Sequence, residues 1–162
     1  MADAHRNKPV PSPGPFDHTV IGAGQTDGII FANASRAIAA YTSPEMHNPN
    51  AKGVRLYTNI AIGDGGAGTV TVKIQVRDPN SDTWADLTTA NAAGATVGVT
   101  TAALTETAAQ LRLLTVYPGL LYSIGTATTN TEINAHLGTS WRVVATVGTD
   151  EVEFSVGAEY LL

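Results

Sequence analysis

Residues 69–77 read Thr-Val-Thr-Val-Lys-Ile-Gln-Val-Arg, and a helix cannot use that order. Val70, Val72, Ile74 and Val76 fall on one side of an extended strand, and Thr71, Lys73, Gln75 and Arg77 on the other. Helical geometry would scatter the same four apolar side chains around a cylinder. β-Branched residues on the apolar side fit a pleated surface that packs on a core. One face therefore meets a core, and the other meets water or a partner. Asp78-Pro79-Asn80-Ser81-Asp82 supplies turn formers, and the chain returns over residues 84–87.

The same alternation recurs on both sides of this strand. Residues 53–62 place Val54, Leu56, Thr58, Ile60 and Ile62 on one face, with Arg55, Tyr57 and Asn59 opposite. Glycine-rich residues 63–68 then read as a hairpin loop into the 69–77 strand. Near the end of the chain, Trp141, Val143, Ala145 and Val147 alternate with Arg142, Val144 and Thr146. After Gly148-Thr149-Asp150-Glu151, the residues Val152, Phe154, Val156, Ala158 and Tyr160 alternate with Glu153, Ser155, Gly157 and Glu159. These two runs predict a C-terminal hairpin. Residues 108–117 read as a strand with Leu111, Leu113 and Tyr117 on one face, ended by a type II turn at Pro118-Gly119. Shorter strands are expected within 19–41, near 96–100 and at 120–124, with a helical turn as the alternative over 35–40. Residues 42–52, most of 88–107, and 125–134 read as loops. About seven to nine short strands with Gly/Pro turns between them make an all-β protein, an antiparallel β-sandwich of jelly-roll or immunoglobulin-like type. Residues 19–162 form that single domain.

Residues 1–18 lie outside the pattern. Pro9, Pro11, Pro13 and Pro15 alternate through Pro-Val-Pro-Ser-Pro-Gly-Pro and remove four backbone donors, so the segment takes an extended polyproline-like path. Phe16 follows as an apolar anchor. A stiff arm loses little entropy on docking, which makes Pro9, Pro11, Pro13, Pro15 and Phe16 the candidate partner-binding residues.

Charged residues make up 14% of the 162, with a net charge of −5. A nucleic-acid binder needs a basic face to displace counterions, and here the cations Arg55, Lys73, Arg77, Arg112 and Arg142 are scattered singly. The chain has no cysteine, which excludes disulfides, thiolate metal sites and cysteine nucleophiles. The first twenty residues lack the apolar run of a signal peptide, and no stretch approaches a membrane span. Synthesis and folding in a cytoplasm are expected.

No catalytic constellation stands out. Val20-Ile21-Gly22-Ala23-Gly24 lacks the third glycine of a dinucleotide fingerprint, because position 27 is Asp27. Residues 63–68 lack the Lys-Ser/Thr of a phosphate loop. Asp78, Asn80, Asp82 and Asp86 match positions one, three, five and nine of a calcium loop, but Thr83 and Thr89 occupy the glycine and glutamate positions. A polar hairpin that caps its own amides accounts for them better. His5, His18, His47 and His136 are too dispersed to suggest a metal site. Trp84 and Trp141 are expected to plug the core, and Glu151, Glu153 and Glu159 to lie on a wet strand face. No cofactor or metal is expected, and no enzymatic activity.

Asn50-Ala51-Lys52-Gly53-Val54-Arg55-Leu56, Val70-Thr71-Val72-Lys73-Ile74-Gln75, Asp78-Pro79, and Trp84-Ala85-Asp86-Leu87 follow one another in that order. Leu114-Thr115-Val116-Tyr117-Pro118-Gly119, Trp141-Arg142-Val143 and Phe154-Ser155-Val156-Gly157-Ala158 complete the series. Together these segments resemble small virion structural proteins of tailed bacteriophages, over residues 48–162. The resemblance implies a capsid decoration (cement) protein on the virion surface, made in the host bacterial cytoplasm. Its implied partners are itself, as a homotrimer, and the major capsid protein. A tail, baseplate or head–tail joining component is the alternative within that resemblance. Trp84, Tyr57 and the Asp-rich hairpin leave a carbohydrate-binding sandwich module as another.

Overall fold

The computed structural model describes residues 27–48, 51–61, 66–90, 96–101, 103–119 and 130–161. Within them the chain forms β1 (Asp27–Arg36), β2 (Ala40–Thr42), β3 (Met46–His47), β4 (Gly53–Ile60), β5 (Thr69–Arg77), β6 (Trp84–Asp86) and β7 (Thr88–Ala90). It continues through β8 (Thr96–Gly98), β9 (Leu104–Thr105), β10 (Gln110–Val116), β11 (Asn130–Ile133), β12 (Ser140–Gly148) and β13 (Val152–Leu161). No helix occurs among the described residues. One sheet runs β1-β13-β4-β10-β11, the other β2-β12-β5-β6, with β3 also on β12 and β9 also on β5. Strands β7 and β8 make a separate two-stranded ribbon.

The two sheets pack face to face as a β-sandwich, and the alternation seen in the sequence becomes burial. Val54, Leu56 and Ile60 of β4 meet Val70, Val72 and Ile74 of β5 in one apolar cluster. Trp141, Val143, Ala145 and Val147 join it from β12, and Val152, Phe154, Val156 and Ala158 from β13. Trp141 and Phe154 are the largest wholly buried side chains. Burying an aromatic or branched aliphatic side chain contributes roughly 1.5–3 kcal/mol, and these positions supply most of the driving force.

Two expected hairpins do not form. Strands β4 and β5 lie in different sheets, and so do β12 and β13. The connections from β4 to β5 and from β12 to β13 are therefore arches that cross from one sheet to the other. Alternation cannot distinguish the two outcomes, because an arch buries the same faces as a hairpin. The arch places those faces opposite each other across the core rather than side by side.

Four chain passes cross between the layers at this end of the sandwich. In spatial order they are β1→β2, β12→β13, β4→β5 and β9→β10, because β1-β13-β4-β10 and β2-β12-β5-β9 are matching neighbours in the two sheets. One backbone bond ties each pass to the next: Val147 N to Ala39 O at 2.9 Å, Ala61 N to Glu153 O at 3.1 Å, and Glu106 N to Gly68 O at 3.1 Å. The buried Glu106 carboxylate also accepts from Glu153 N at 3.3 Å. Gly68 is required here, since a Cβ would lie 2.3 Å from Val152 Cγ2 and 2.6 Å from Glu151 O.

Other sequence expectations fared unevenly. The 69–77 strand and its return through β6 are present, paired Val76↔Ala85 and Arg77↔Trp84. Gly119 has φ 90°, as the type II turn after β10 requires. Of 19–41, residues 19–26 fall outside the described residues; the remainder holds the ten-residue β1 and the start of the short β2, and residues 37–39 bend without a helical turn. The loop expected over 125–134 contains β11, which lies parallel to β10. Its Asn-Thr-Glu composition hid it, and the strand expected at 120–124 falls outside the described residues. Leu111 and Leu113 do share a face of β10, but it is the outer one. The core face of β10 carries Leu114 and Val116 along with Arg112, which stands opposite Thr58.

That pairing leaves Thr58 Oγ1 and Arg112 Nε buried without hydrogen-bond partners. Replacing a buried, unpartnered hydroxyl by an isosteric methyl removes a desolvation penalty. Thr58→Val should therefore raise the denaturation midpoint, by about 1 kcal/mol of stability. Gly53→Ala should act in the opposite sense, because its Cβ would fall 2.0 Å from Val116 O. Overpacking against a backbone oxygen costs about 3 kcal/mol, readable as a lowered urea midpoint at unchanged m-value.

Candidate interaction surface

The outer face of the β2-β12-β5-β6 sheet is polar, and its charges are matched to one another. Lys73 Nζ meets Asp86 Oδ2 at 2.8 Å, and Gln75 Nε2 donates to Asp86 Oδ1 at 2.7 Å. Arg142 Nε donates to Gln75 Oε1 at 2.8 Å. Arg77 holds both oxygens of Glu45, at 3.0 and 2.8 Å, and also pairs with Asp82. These bonds hold Asp86 and Glu45 below the usual carboxylate range: for Asp86 the Lys73 bond leads, and for Glu45 the Ser140 hydroxyl and then Arg77. Exposed pairs of this kind contribute little stability each, being screened by solvent, but they leave the face with few unspent charges.

The Asp-rich hairpin between β5 and β6 does not gather its carboxylates. Asp78 accepts from Asn80 N at 2.9 Å and from Ser81 Oγ at 2.7 Å, which lower its pKa. Asp82 turns to Arg77 and Asp86 to Lys73. Among the described residues no group of three His, Cys, Asp or Glu side chains is placed to hold a metal ion. Ser140, His47 and Glu45 come together, with Ser140 Oγ 3.4 Å from His47 Nδ1. The order is wrong for a nucleophile relay. The carboxylate bonds the serine hydroxyl instead of orienting the imidazole from its far side. Trp141 plugs the core as expected, while Trp84 is only half-buried, with the Arg142 guanidinium 4.3 Å over its ring. Tyr57 sits on the outer face of the opposite sheet, so Trp84 and Tyr57 cannot share one ligand.

The outer face of the five-stranded sheet is organised differently. Register pairs place Ile29, Gly157, Tyr57 and Leu113 in one row across β1, β13, β4 and β10. Leu111, next along β10, is 51% exposed. Towards the far end from the arches, Glu159, Arg55, Thr115 and Glu132 form the adjoining row. Tyr57 Oη donates to Glu159 Oε2 at 2.5 Å, which lays the ring against the sheet. Arg55 reaches the same carboxylate at 3.8 Å and Thr115 Oγ1 at 3.3 Å. Gly157 leaves a notch between Ile29 and Tyr57, where an added Cβ would meet only Gly28 O, at 3.6 Å, among the described residues. This apolar row, bordered by carboxylates, is the surface best suited to a partner.

Among the described residues, strand β1 is the free edge beside that row. Its register slips between Ile29 and Phe31 and again between Phe31 and Ala34. Arg36 fills the slip. Its guanidinium donates to Ala32 O at 2.7 Å, Ala34 O at 2.9 Å and Phe154 O at 2.8 Å, and it lies 4.4 Å over the Phe154 ring. Burial lowers its pKa. Bulges and a capping cation blunt an edge against strand addition, so the face is the more open surface here.

The sequence-derived partner residues Pro9, Pro11, Pro13, Pro15 and Phe16 lie outside the described residues. Ile29, Tyr57, Leu111, Leu113 and Gly157 were not singled out together, because only the register brings them into one patch. The available signal was in β10: Leu111 and Leu113 on one face and Leu114 and Val116 on the other make a strand apolar on both sides. Comparison with protein-family models, curated proteins and solved structures finds no match for this chain.

Beneath this face the Trp141 indole Nε1–H donates to Tyr160 Oη at 3.2 Å, and Tyr160 Oη donates to His47 O at 3.1 Å. Burial pushes the Tyr160 phenol above its ordinary range, partly offset by the indole bond. A raised acid pKa means the folded state favours the neutral phenol. The associated stability is intact below the normal tyrosine pKa and disappears as pH climbs through the folded value. An absorbance titration should show a tyrosinate step above the ordinary tyrosine range, belonging to Tyr160. Tyr160→Phe should delete that late step and cost about 1 kcal/mol at neutral pH.

Proposed function

We propose that this chain is a non-enzymatic virion structural protein that decorates and stabilises a bacteriophage capsid by bridging neighbouring capsomers. It acts as a homotrimer on the major capsid protein, at the virion surface, after synthesis in the host bacterial cytoplasm. The supporting observation is where the resembling segments fall. They lie on β4, β5, the β5–β6 hairpin, β10, β12 and β13, the connected middle of both sheets. Their order and spacing thus belong to one folded body. A decoration protein needs such a stiff body, a contact face and a reaching arm. The apolar row on the five-stranded sheet and the proline-rich residues 9–16 are suited to the latter two. Several weak contacts per trimer then sum to firm attachment through avidity. The alternatives are weaker. A sugar-binding module loses its aromatic platform, since Arg142 covers Trp84 and Tyr57 is on the other sheet. A tail, baseplate or head–tail position keeps the structural role and changes only the address.

Purified protein should sediment as an oligomer and co-sediment saturably with capsids that lack it, raising the temperature at which those shells break. A monomer with no affinity for capsids would overturn the reading. Immunolabelling confined to tails would move the protein to the joining or tail position.

A further inference from the structure

We propose that the notch on the outer face of the five-stranded sheet, between Ile29 and Tyr57 with Leu113 beyond, receives the proline-rich arm of a second copy of this chain. The inference rests on the structural-protein reading and names the contact that reading needs. Three observations converge on it.

The first is shape. Ile29, Gly157 and Tyr57 stand directly opposite one another on three adjacent strands. The walls Ile29 and Tyr57 are therefore two strand spacings apart, roughly 10 Å, over a floor that has no side chain at Gly157. Ser155 keeps the floor low on the next outward position of β13. A trough with an aromatic wall is the surface that polyproline segments select, since proline rings pack on aromatic faces and the ligand is already extended.

The second is charge. Glu153, Glu159 and Glu132 border the trough, with Arg55 as the one cation among the described residues of this outer face. The arm enters its proline run through Arg6 and Lys8. Cations leading an apolar, proline-rich run match an apolar trough with acidic ends, and the match predicts weaker docking as salt rises.

The third is reach and direction. Strand β1 begins at Asp27, opposite Glu159, and runs towards the arches. The arm is therefore joined to the sheet at the end far from the arches, beside the Glu159 row. Ten residues lie between Phe16 and Asp27. The eleven backbone steps from Phe16 to Asp27 span at most roughly 36 Å, a reach within which the trough of a neighbouring molecule can lie.

The test uses the full chain with a photo-crosslinking benzoylphenylalanine at position 16, mixed from isotopically light and heavy preparations. The expected product is a mixed-isotope dimer in which residue 16 is joined to peptides containing Tyr57 or Leu113. Leu113→Glu, on the wet face of β10, should reduce that dimer by about tenfold, equivalent to roughly 1.4 kcal/mol of binding. Phe16→Ser should release the arm without touching the sandwich, read as a smaller oligomer at equal concentration. Crosslinks within one chain, crosslinks mapping to the β2-β12-β5-β6 sheet, or no dimer in a protein that still binds capsids would each overturn the docking while leaving the structural reading intact. A monomer that also ignores capsids would remove both.

Discussion

Each of the four central chain passes contributes a strand to both layers, and that shared crossing is the constraint on which the rest depends. Sheets joined in this way cannot slide or separate without breaking every pass at the arched end. Three backbone bonds link the passes in order, and Gly68 lets the β4→β5 pass sit against Val152 and Glu151. The apolar cluster around Trp141 and Phe154 supplies the energy, and the crossings convert it into one arrangement instead of several. A paired hairpin could form alone. These arches gain nothing until both sheets are present, which makes the body cooperative and its contacts long in sequence.

With the interior closed, the two outer faces take on different characters. On one, Lys73 and Arg77 spend their charges on Asp86, Glu45 and Asp82, while Arg142 lies against Gln75 and the Trp84 ring. On the other, Glu159 takes the Tyr57 hydroxyl and the Arg55 cation, leaving the half-buried Tyr57 ring and Leu113 beside an exposed Leu111. For a subunit that works by contact this face is the useful one, and the free edge beside it is blunted by two bulges and Arg36.

The strands were legible where a strand is wet on one side. Residues 69–77 and 152–160 alternate cleanly because β5 and β13 each bury one face and expose the other. Legibility failed where both faces are apolar or neither is. Strand β11 reads Asn-Thr-Glu-Ile and owes its place to pairing with β10, an interaction that leaves no periodic trace. The contact face was equally hidden. Ile29, Gly157, Tyr57 and Leu113 are far apart in the chain, and only three consecutive registers align them.

The sequence alone determined that this protein is all-β, which side of β4, β5, β12 and β13 is buried, and that Gly119 ends β10 in a left-handed turn. Those properties follow from side-chain periodicity and backbone sterics, which are local. Tertiary structure decided that β4–β5 and β12–β13 are arches, that β11 is parallel, and that one outer face is apolar while the other is a closed charge network. These depend on which strand lies beside which. Pairing partners are selected by how the whole core closes, and alternation by itself is the same for every choice.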